Sequence, residues 1–302
     1  MEYGTMIEVN GSVDDVIERS KQAKNAGITT QWASQIFGHD TLTLLGLIGR
    51  EVEGVSFGTA VTPIQPRHPY MLAAQALTVQ SALKGRLTLG IGLSHQMVIE
   101  NVFGLPFNQP ANQMEEYLEI LIPLLRGEGV AFKGDHYSVT TLGPIEVPVT
   151  EPPKVLVAAL GTKMLNIAGR LASGTATWMT GLKTVENHVV PTIKKAAEMA
   201  SVSEPEIVVG LPVCVTEDKS GAKERAAKVF SIYGGLPSYR AMLDREGALG
   251  PADIAIIGNA DEVTSKLMEL PGIGATGFIG GVFGNKDEIT NTIATIGSLK
   301  GS

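Results

Sequence analysis

The chain is poor in cysteine and in aromatic residues. Of its 302 residues one is cysteine, Cys214, and phenylalanine, tryptophan and tyrosine together make up 5%. A single cysteine excludes an intramolecular disulfide, so burial and hydrogen bonds must hold the fold. Cys214 lies in the apolar run IVVGLPVCV, which favours a small buried side chain over a reactive nucleophile.

Positive charge is also scarce. Lysine and arginine number 24 against 31 aspartate and glutamate residues, for a net charge of −7. This balance, without any basic cluster, argues against nucleic acid or an anionic membrane surface as a partner. No apolar run approaches the roughly 20 residues of a membrane span. The opening stretch MEYGTMIEVNGSVDD lacks the basic flank and apolar core of a signal peptide, so we expect a cytoplasmic protein.

What the sequence does contain is a regular alternation of short β-type runs with longer helical patterns. The runs predicted as strands cover residues 3–9, 29–34, 55–61, 86–92, 155–160, 175–179, 206–215, 254–257 and 277–281. This order predicts an α/β protein, a single (β/α)8 TIM barrel over residues 1–302. A doubly wound sheet is the alternative, but no G-x-G-x-x-G follows the first strand.

The alternation is interrupted between residues 93 and 150. We interpret this stretch as an insertion before strand five. Within it, residues 111–125 have a helical pattern, and the alternation around Gly134-Asp135 predicts a hairpin.

The segment VLVAALGTKMLNIAGRLASGTATWMTG, residues 155–181, has the order strand, glycine turn, helix, strand. Its helix begins beside Gly161 and Lys163. The first N–H groups of a helix lack internal partners and the helix dipole is positive at that end, which suits a phosphate. An ordinary βα turn without a ligand explains the local pattern equally well.

In a TIM barrel the active site forms at the carboxyl ends of the strands, and here those ends carry few ionisable groups. No carboxylate pair suits glycoside chemistry and no G-x-S-x-G elbow is present. His39-Asp40 has no third ligand at a sensible spacing, so no metal site is predicted. We call this end of the barrel its mouth. Because it has so few ionisable groups, we expect a large planar cofactor that supplies the chemistry itself.

Among the histidines, His95 is the favoured proton donor or acceptor, because it follows a buried strand in a Gly- and Ser-rich break. His68 is interpreted as a helix cap and His39 as a loop residue. Trp178 fits core packing as well as stacking on a ring. Arg170 is expected in a structural ion pair.

Three segments of the chain resemble the luciferase-like flavin and deazaflavin oxidoreductases. ALGTKMLNIAGRLASGTATWMTG resembles the family's G-x-P-K-x-L-x-L-A-G-R-x-A-D-G segment. GTAVTPIQPRHPYMLAAQALTVQSALKGRLTLGIG resembles its third and fourth strands, and IIGNADEVTSKLMELPGIGATGFIGGVFG its closing segment. The resemblance implies a TIM barrel with an insertion before strand five, and it is strongest to the branch that uses coenzyme F420, a deazaflavin hydride carrier.

This resemblance also implies roles for individual residues. Gly161, Thr162 and Lys163 would meet the cofactor phosphate through backbone N–H groups. Thr62 and Pro63 would lie behind the ring, where relatives often have a bulge or a non-prolyl cis peptide. Gly92 would allow the ring or tail to approach closely. The complete set predicted to bind the cofactor is Thr62, Pro63, Ile64, Gly92, Gly161, Thr162, Lys163, Met164, Trp178 and Met179.

At some positions the chain departs from the family pattern. Relatives with S-D-H-F after strand two place Asp and His near the ring, whereas this chain has Ser34-Gln35-Ile36-Phe37. Some relatives carry a glutamic acid just past the fourth strand, where this chain aligns His95. Thr162 replaces the common Pro, and Ser173 replaces the Asp of A-D-G. These changes weigh against a sugar-phosphate dehydrogenase reaction more than against cofactor binding.

The sequence therefore predicts an F420-dependent oxidoreductase that moves hydride between C5 of the deazaflavin and a small organic substrate. In this hypothesis His95 donates the proton and Gln35 orients the substrate. The alternatives are an FMN-dependent monooxygenase on the same barrel and a flavin- or deazaflavin-binding protein without catalysis. A homodimer is implied by the resemblance alone. The substrate pocket is expected from the loops 103–112 and 231–243.

Overall fold

The computed structural model describes residues 1–35 and 37–299. Ile36, part of the stretch compared above with S-D-H-F, lies outside the described residues. The strands are β1 (Glu2–Met6), β2 (Thr30–Ala33), β3 (Ser56–Thr59), β4 (Thr62–Pro63), β5 (Leu87–Gly92), β6 (Ala131–Lys133), β7 (Ser138–Thr140), β8 (Lys154–Val157), β9 (Gly174–Trp178), β10 (Glu206–Val215), β11 (Ile256–Gly258) and β12 (Gly277–Val282).

Parallel strands close into a barrel in the order β1-β2-β3-β5-β8-β9-β10-β12. β12 pairs back onto β1, and β9 pairs with β10, so the ring has no free edge. The predicted TIM barrel is confirmed. Two short strands extend its wall, since β4 pairs with β5 and β11 pairs with the last residues of β10. The apolar run predicted as a strand at 254–257 thus forms β11, outside the ring of eight.

Helices follow the strands around the barrel. They are α1 (Val13–Asn25), α2 (Thr41–Glu51), α3 (Pro69–Ala82), α4 (Gln96–Asn101), α5 (Pro110–Leu125), α6 (Thr162–Leu171), α7 (Leu182–Thr184), α8 (Val190–Met199), α9 (Lys219–Val229), α10 (Pro237–Glu246), α11 (Ala260–Met268) and α12 (Lys286–Ser298). A π-helical turn, Val185–Val189, joins α7 to α8. Within the described parts of the chain, none of these helices has the length and apolar character to cross a membrane.

Local sequence explains where several helices begin. Ser12 and Asp15 form a capping box at the start of α1, and Asp40 accepts a hydrogen bond from the Thr43 N–H at the start of α2. These side chains satisfy backbone donors that have no partner within the helix. The sequence predicts both starts, since Ser12 is followed by the acidic residues Asp14 and Asp15, and Asp40 or Thr41 precedes an apolar helical pattern, and the structure confirms them.

The lumen of the barrel is filled around the two tryptophans. The Trp32 indole packs with apolar side chains from other strands of the ring, Leu156, Ala176, Val208 and Ile279. A Cβ on Gly58 would come within 2.3 Å of this ring, and a Cβ on Gly281 within 2.4 Å of the Trp178 ring. Gly58 on the adjacent strand β3 and Gly281 on β12 therefore make room for the two indoles inside the closed sheet.

The predicted insertion contains one of the barrel's own helices. α5 packs between α3 and α6 as the fourth helix of the outer layer. Two parts of the predicted insertion are additional to the barrel. The segment that contains α4 precedes α5, and the antiparallel hairpin of β6 and β7 follows α5. The hairpin is fixed to α5 by Glu116, whose carboxylate accepts hydrogen bonds from three consecutive backbone N–H groups, those of residues 135–137.

Candidate active site

The loop after β2 meets the loop after β3 at the carboxyl end of the barrel. The peptide bond between Ala60 and Val61 is cis, close to Thr62 and Pro63, where the resemblance suggested such a bond. The Ser34 hydroxyl donates a hydrogen bond to the Ala60 carbonyl oxygen at 2.6 Å. Ser34 therefore holds the cis segment against the end of β2.

Gln35 belongs to a polar network behind this segment. Its side-chain oxygen accepts hydrogen bonds from the Thr41 N–H at 2.8 Å and from the Arg67 guanidinium at 3.3 Å. Its side-chain nitrogen donates to the His39 carbonyl oxygen at 3.3 Å. These bonds fix the amide in the loop after β2, and its role in orienting a substrate stays a prediction.

Arg67 also forms an ion pair with Asp40. Burial by itself would raise the pKa of the Asp40 carboxyl. Hydrogen bonds from the Thr43 N–H and hydroxyl, together with Arg67, outweigh this effect and lower the pKa. Asp40 is thus a charged residue that caps α2 and pairs with Arg67, so the Arg67 guanidinium is not free.

His95 follows β5, the strand next to β3 in the ring, and lies at the N-cap of α4. The preceding residue, Ser94, has a left-handed backbone with φ of 57°, which non-glycine residues seldom adopt and which turns the chain sharply after β5. The imidazole is half-buried, and burial lowers the pKa of His95 from its ordinary value. His95 is therefore neutral at pH 7, able to donate from one ring nitrogen and accept at the other.

A row of aromatic rings extends from His95 across the mouth. The ring centroids of His95 and Tyr239 are 6.0 Å apart, those of Tyr239 and Tyr233 5.0 Å, and those of Tyr233 and Trp178 6.1 Å. Phe230 continues the row beyond Trp178 at 6.2 Å. Tilted and edge-to-face arrangements at these separations are favourable for aromatic pairs. The row forms an apolar wall between the ends of β5 and β9.

Several residues predicted to bind a cofactor have buried side chains. Ile64 and Met179 are 0% exposed and pack in the core between the sheet and the helices. Thr62 and Pro63 are also buried, and the Thr62 hydroxyl has no hydrogen-bond partner in the described structure. A cofactor in the mouth could meet these residues through their backbone, so their predicted role stays untested.

Gly92 is surrounded by protein atoms. A Cβ at this position would lie 2.5 Å from Cγ2 of Val61 and 3.2 Å from Cβ of Ala158. Glycine here is required by the packing of Val61 after the cis peptide. The predicted close approach of a ring or tail to Gly92 stays a prediction.

The N-terminus of α6 is open to solvent. Gly161 is its N-cap with extended backbone, φ of −79°, and no side chain accepts a hydrogen bond there. Gly161, Thr162 and Lys163 are exposed, Met164 is half-buried, and a Cβ on Gly161 would meet no atom within 4 Å. Thr162, Lys163 and Met164 are thus the first residues of a helix whose end is free for an anion.

Other helices that follow barrel strands are closed at the same end. Their first N–H groups donate to side chains at the caps of α1, α2, α3, α9 and α12 and to Glu246 at the start of α7. His68 caps α3 as predicted. α4, α5, α6, α8 and α10 lack such an acceptor. α4 has only 6 residues, and α5, α8 and α10 each carry a proline in the first turn, whereas α6 has 10 residues and no proline there. An exposed, uncapped helix of this length, with Lys163 in its first turn, fits a phosphate group.

A second concave region lies at the other end of the barrel, where the strands begin. It has a volume of about 610 Å³ and is lined in part by Trp32, Arg86 and Lys154. The Lys154 ammonium pairs with Glu206 there. Because TIM-barrel sites form at the carboxyl ends of the strands, this cavity is assigned to the supporting end of the fold.

The sequence predicted that residues 231–243 contribute to the substrate pocket without singling out Tyr233 or Tyr239, and it gave no role to His188. The first two lie in a stretch treated as a variable loop, most of which forms a 3-10 turn and α10. Across residues 1–35 and 37–299, no cluster of histidine, cysteine, aspartate and glutamate could hold a metal ion. The mouth thus combines an uncapped helix N-terminus after β8 with an aromatic row and a neutral imidazole that extend between the flanking strands β5 and β9.

These features describe a TIM barrel whose carboxyl end carries an uncapped helix N-terminus, an aromatic row and a neutral histidine. The family model described as luciferase-like monooxygenase matches residues 1–277. The chain belongs to this family and is an enzyme of it, as the sequence predicted.

Three known proteins illustrate the relationship. The 5,10-methylenetetrahydromethanopterin reductase of Methanolobus tindarius is 25% identical over 264 residues, 86% of this chain and 79% of the relative. The coenzyme F420-dependent tetrahydromethanopterin reductase of Methanopyrus kandleri superposes with a TM-score of 0.83 at 21% identity, covering 98% and 97% of the two chains. A type II Baeyer-Villiger monooxygenase of Pseudomonas putida in complex with FMN superposes with a TM-score of 0.75 at 16% identity, covering 99% and 97%.

Proposed function

We propose that the protein is an F420-dependent oxidoreductase that exchanges a hydride between the deazaflavin and a small uncharged organic substrate. The observation that carries the proposal is the exposed, uncapped N-terminus of α6 at Gly161, on the same rim as His95 and the aromatic row. The relatives named for methanopterin reduction and for F420 support deazaflavin over other cofactors.

The cofactor would be held at two places. The N–H groups at the start of α6 would bind its phosphate, with Lys163 adding a positive charge. The bound deazaflavin would supply hydride chemistry at its C5 atom. Trp178 and the Tyr233 ring would form an apolar wall beside the bound molecules and exclude water from them.

His95 would accept the substrate proton in one direction of the reaction and donate it in the other. Its neutral imidazole can accept the proton of a substrate hydroxyl as the hydroxyl carbon is oxidised. In the reverse direction the protonated ring returns that proton to the carbonyl oxygen. The half-buried position beside Tyr239 keeps the neutral form dominant at pH 7.

The substrate would be uncharged because the arginines beside the aromatic row and in the Gln35 network, Arg240 and Arg67, already have partners within the protein. Arg240, next to Tyr239, donates to Asp244 and to the carbonyl oxygens of Ala248 and Leu249. Arg67 is paired with Asp40. Lys163 belongs to the proposed phosphate position. An anionic substrate would face desolvation against aromatic rings without a counter-charge.

Titration of the purified protein with F420 and with FMN in parallel tests the proposal. We expect F420 binding, followed by the change in deazaflavin fluorescence, and weak or no FMN binding. Tight FMN binding without F420 binding would refute the proposal.

A matched pair of variants, Gly161→Asp and Gly161→Asn, tests the phosphate position. Both residues cap helices well, but the aspartate would repel a phosphate. Two negative charges about 4 Å apart repel by about 4 kcal/mol at an effective dielectric constant of about 20. Solvent at this exposed end reduces the effect, so we expect Gly161→Asp to bind F420 between about 10- and 100-fold more weakly than Gly161→Asn. Equal affinities would place the phosphate elsewhere.

An FMN-dependent monooxygenase is the second candidate, favoured by the family description and by the FMN complex of the Pseudomonas putida neighbour. Oxygen consumption with reduced FMN and a ketone substrate distinguishes it from hydride exchange with F420. A homodimer and a cytoplasmic location are further proposals, tested by light scattering and by cell fractionation.

A further inference from the structure

His188 is a buried histidine outside the set predicted from the sequence. It lies in the π-helical turn Val185–Val189 and is 9% exposed. Its Nε2 atom is 2.8 Å from the carbonyl oxygen of Leu160. Because a carbonyl oxygen only accepts hydrogen bonds, Nε2 carries the proton and donates it. π-Helical turns are rare and are frequently found at functional sites.

This hydrogen bond acts on the peptide unit that leads into α6. The Leu160 carbonyl and the Gly161 N–H belong to the same planar trans peptide, so they point in opposite directions. Fixing the carbonyl toward His188 turns the Gly161 N–H the other way. The preceding residues are also held, since the Ala158 N–H donates to Ile91 at 2.8 Å and the Thr175 hydroxyl to Val157 at 2.8 Å.

The turn that carries His188 is itself fastened to α10. The Glu246 carboxylate at the end of α10 accepts hydrogen bonds from the Thr184 N–H at 2.8 Å and the Thr184 hydroxyl at 2.7 Å. A Cβ on Gly181 would collide with Glu246 at 2.3 Å, so glycine there allows the close approach. Tyr239, on the same helix α10, packs beside His95.

We propose that His188 is a positioning residue that orients the Gly161 peptide for the cofactor phosphate, and that Glu246 holds the turn in which His188 lies. This inference rests on the proposed function, in which the N-terminus of α6 binds that phosphate. α10 then supports two neighbouring parts of the mouth, with Tyr239 beside His95 and Glu246 behind the phosphate position.

Cofactor affinity in three variants tests the proposal. His188→Leu removes the donor, and His188→Gln keeps an N–H donor. Tyr3→Phe removes a longer side-chain hydrogen bond, 3.4 Å to the Leu267 carbonyl oxygen, away from α6. Each is titrated with F420 and with the deazaflavin riboside that lacks the phosphate and its tail. We expect His188→Leu to bind F420 about tenfold more weakly, with the riboside affinity unchanged. His188→Gln should recover most of the loss, and Tyr3→Phe should bind like the unaltered protein.

Three results would overturn the inference. These are an unchanged F420 affinity in His188→Leu, an equal loss for the riboside, and failure of His188→Gln to restore affinity in a protein that melts normally. If the unaltered protein binds FMN and not F420, the proposed function fails. FMN against riboflavin then gives the same phosphate comparison for His188. Glu246→Gln should shift the affinity in the same direction as His188→Leu by a smaller factor, and an unchanged affinity would remove Glu246 from the proposal.

Discussion

Replacing Glu116 by glutamine should destabilise the fold through the hairpin. Glu116 is 7% exposed, and its two carboxylate oxygens accept hydrogen bonds from three backbone N–H groups, at 2.9 Å from Asp135, 2.8 Å from His136 and 3.1 Å from Tyr137. Gly134 allows this approach, because a Cβ there would lie 2.5 Å from the carboxyl carbon. The single carboxylate thus fastens the whole β6–β7 turn to α5.

The expected loss in the free energy of unfolding follows from the number of hydrogen-bond acceptors that the substitution removes. Glutamine replaces one oxygen by an NH2 group, which cannot accept from a backbone N–H. Hydrogen bonds to charged groups contribute about 1.5–3 kcal/mol each, and partial relaxation leaves an expected loss of about 3 kcal/mol in the free energy of unfolding. At about 2.1 cal/mol/K per residue over 302 residues, this lowers Tm by about 5 °C.

Thermal and urea unfolding measure the effect. The neighbouring variant Glu115→Gln is the matched control, because it loses only an ion pair with Arg170 between side chains 30% and 40% exposed. Such a pair contributes less than about 1 kcal/mol. If Glu116→Gln melted within about 1 °C of the unaltered protein, the carboxylate would not hold the hairpin and the reasoning would be wrong.

The stability of the unaltered protein should also depend on pH through Glu116. Burial alone would raise the pKa of this carboxyl, but the N–H donors of His136, Asp135 and Tyr137 lower it below its ordinary value. A lowered pKa means that the stabilisation is present at neutral pH and is lost as the pH falls through the folded-state pKa. The difference from Glu116→Gln should therefore shrink in acid, below about pH 4.

Three further predictions concern the mouth. His95→Gln should lower kcat about 100-fold for substrate oxidation, and it should remove the loss of activity that the unaltered enzyme shows when acid protonates His95; an unchanged pH profile would exclude His95 as the proton acceptor. Tyr239→Leu should raise KM for an uncharged substrate about tenfold and leave F420 affinity unchanged, whereas an unaltered KM would remove Tyr239 from the substrate wall. Gly281→Ala would place a Cβ 2.4 Å from the Trp178 ring and should cost about 1–3 kcal/mol of stability, while Gly272→Ala, which meets no atom within 4 Å, should melt normally.

Local signals in the sequence were enough to predict the TIM barrel and the start of α6. Alternating runs, a capping box at Ser12 and the cap at Asp40 act over a few residues, so their effects are visible along the chain. Gly161 followed by Lys163 after an apolar run indicated an anion position for the same reason. The antiparallel hairpin around Gly134-Asp135 was likewise predicted and is confirmed.

Contacts between residues that are far apart in the sequence could not be predicted from such local signals. His188 meets Leu160 across 28 positions, and Thr184 meets Glu246 across 62. Tyr239 follows a stretch with no clear periodicity, yet α10 places its ring beside His95. The amide of Gln35, expected to face a substrate, is hydrogen-bonded to the loop because Thr41 and Arg67 fold back onto it.

The sequence by itself determined the fold class, the helix starts and the free end of α6, because periodicity and capping are local properties of the chain. Only the tertiary structure decided which side chains share the mouth. β8 pairs with both β5 and β9, and α10 adds Tyr239 to the row that begins at His95, so the aromatic row and the His188 contact exist only once distant segments pack. The physical reason is that strand order and helix packing, rather than neighbouring residues, set the distances between those groups.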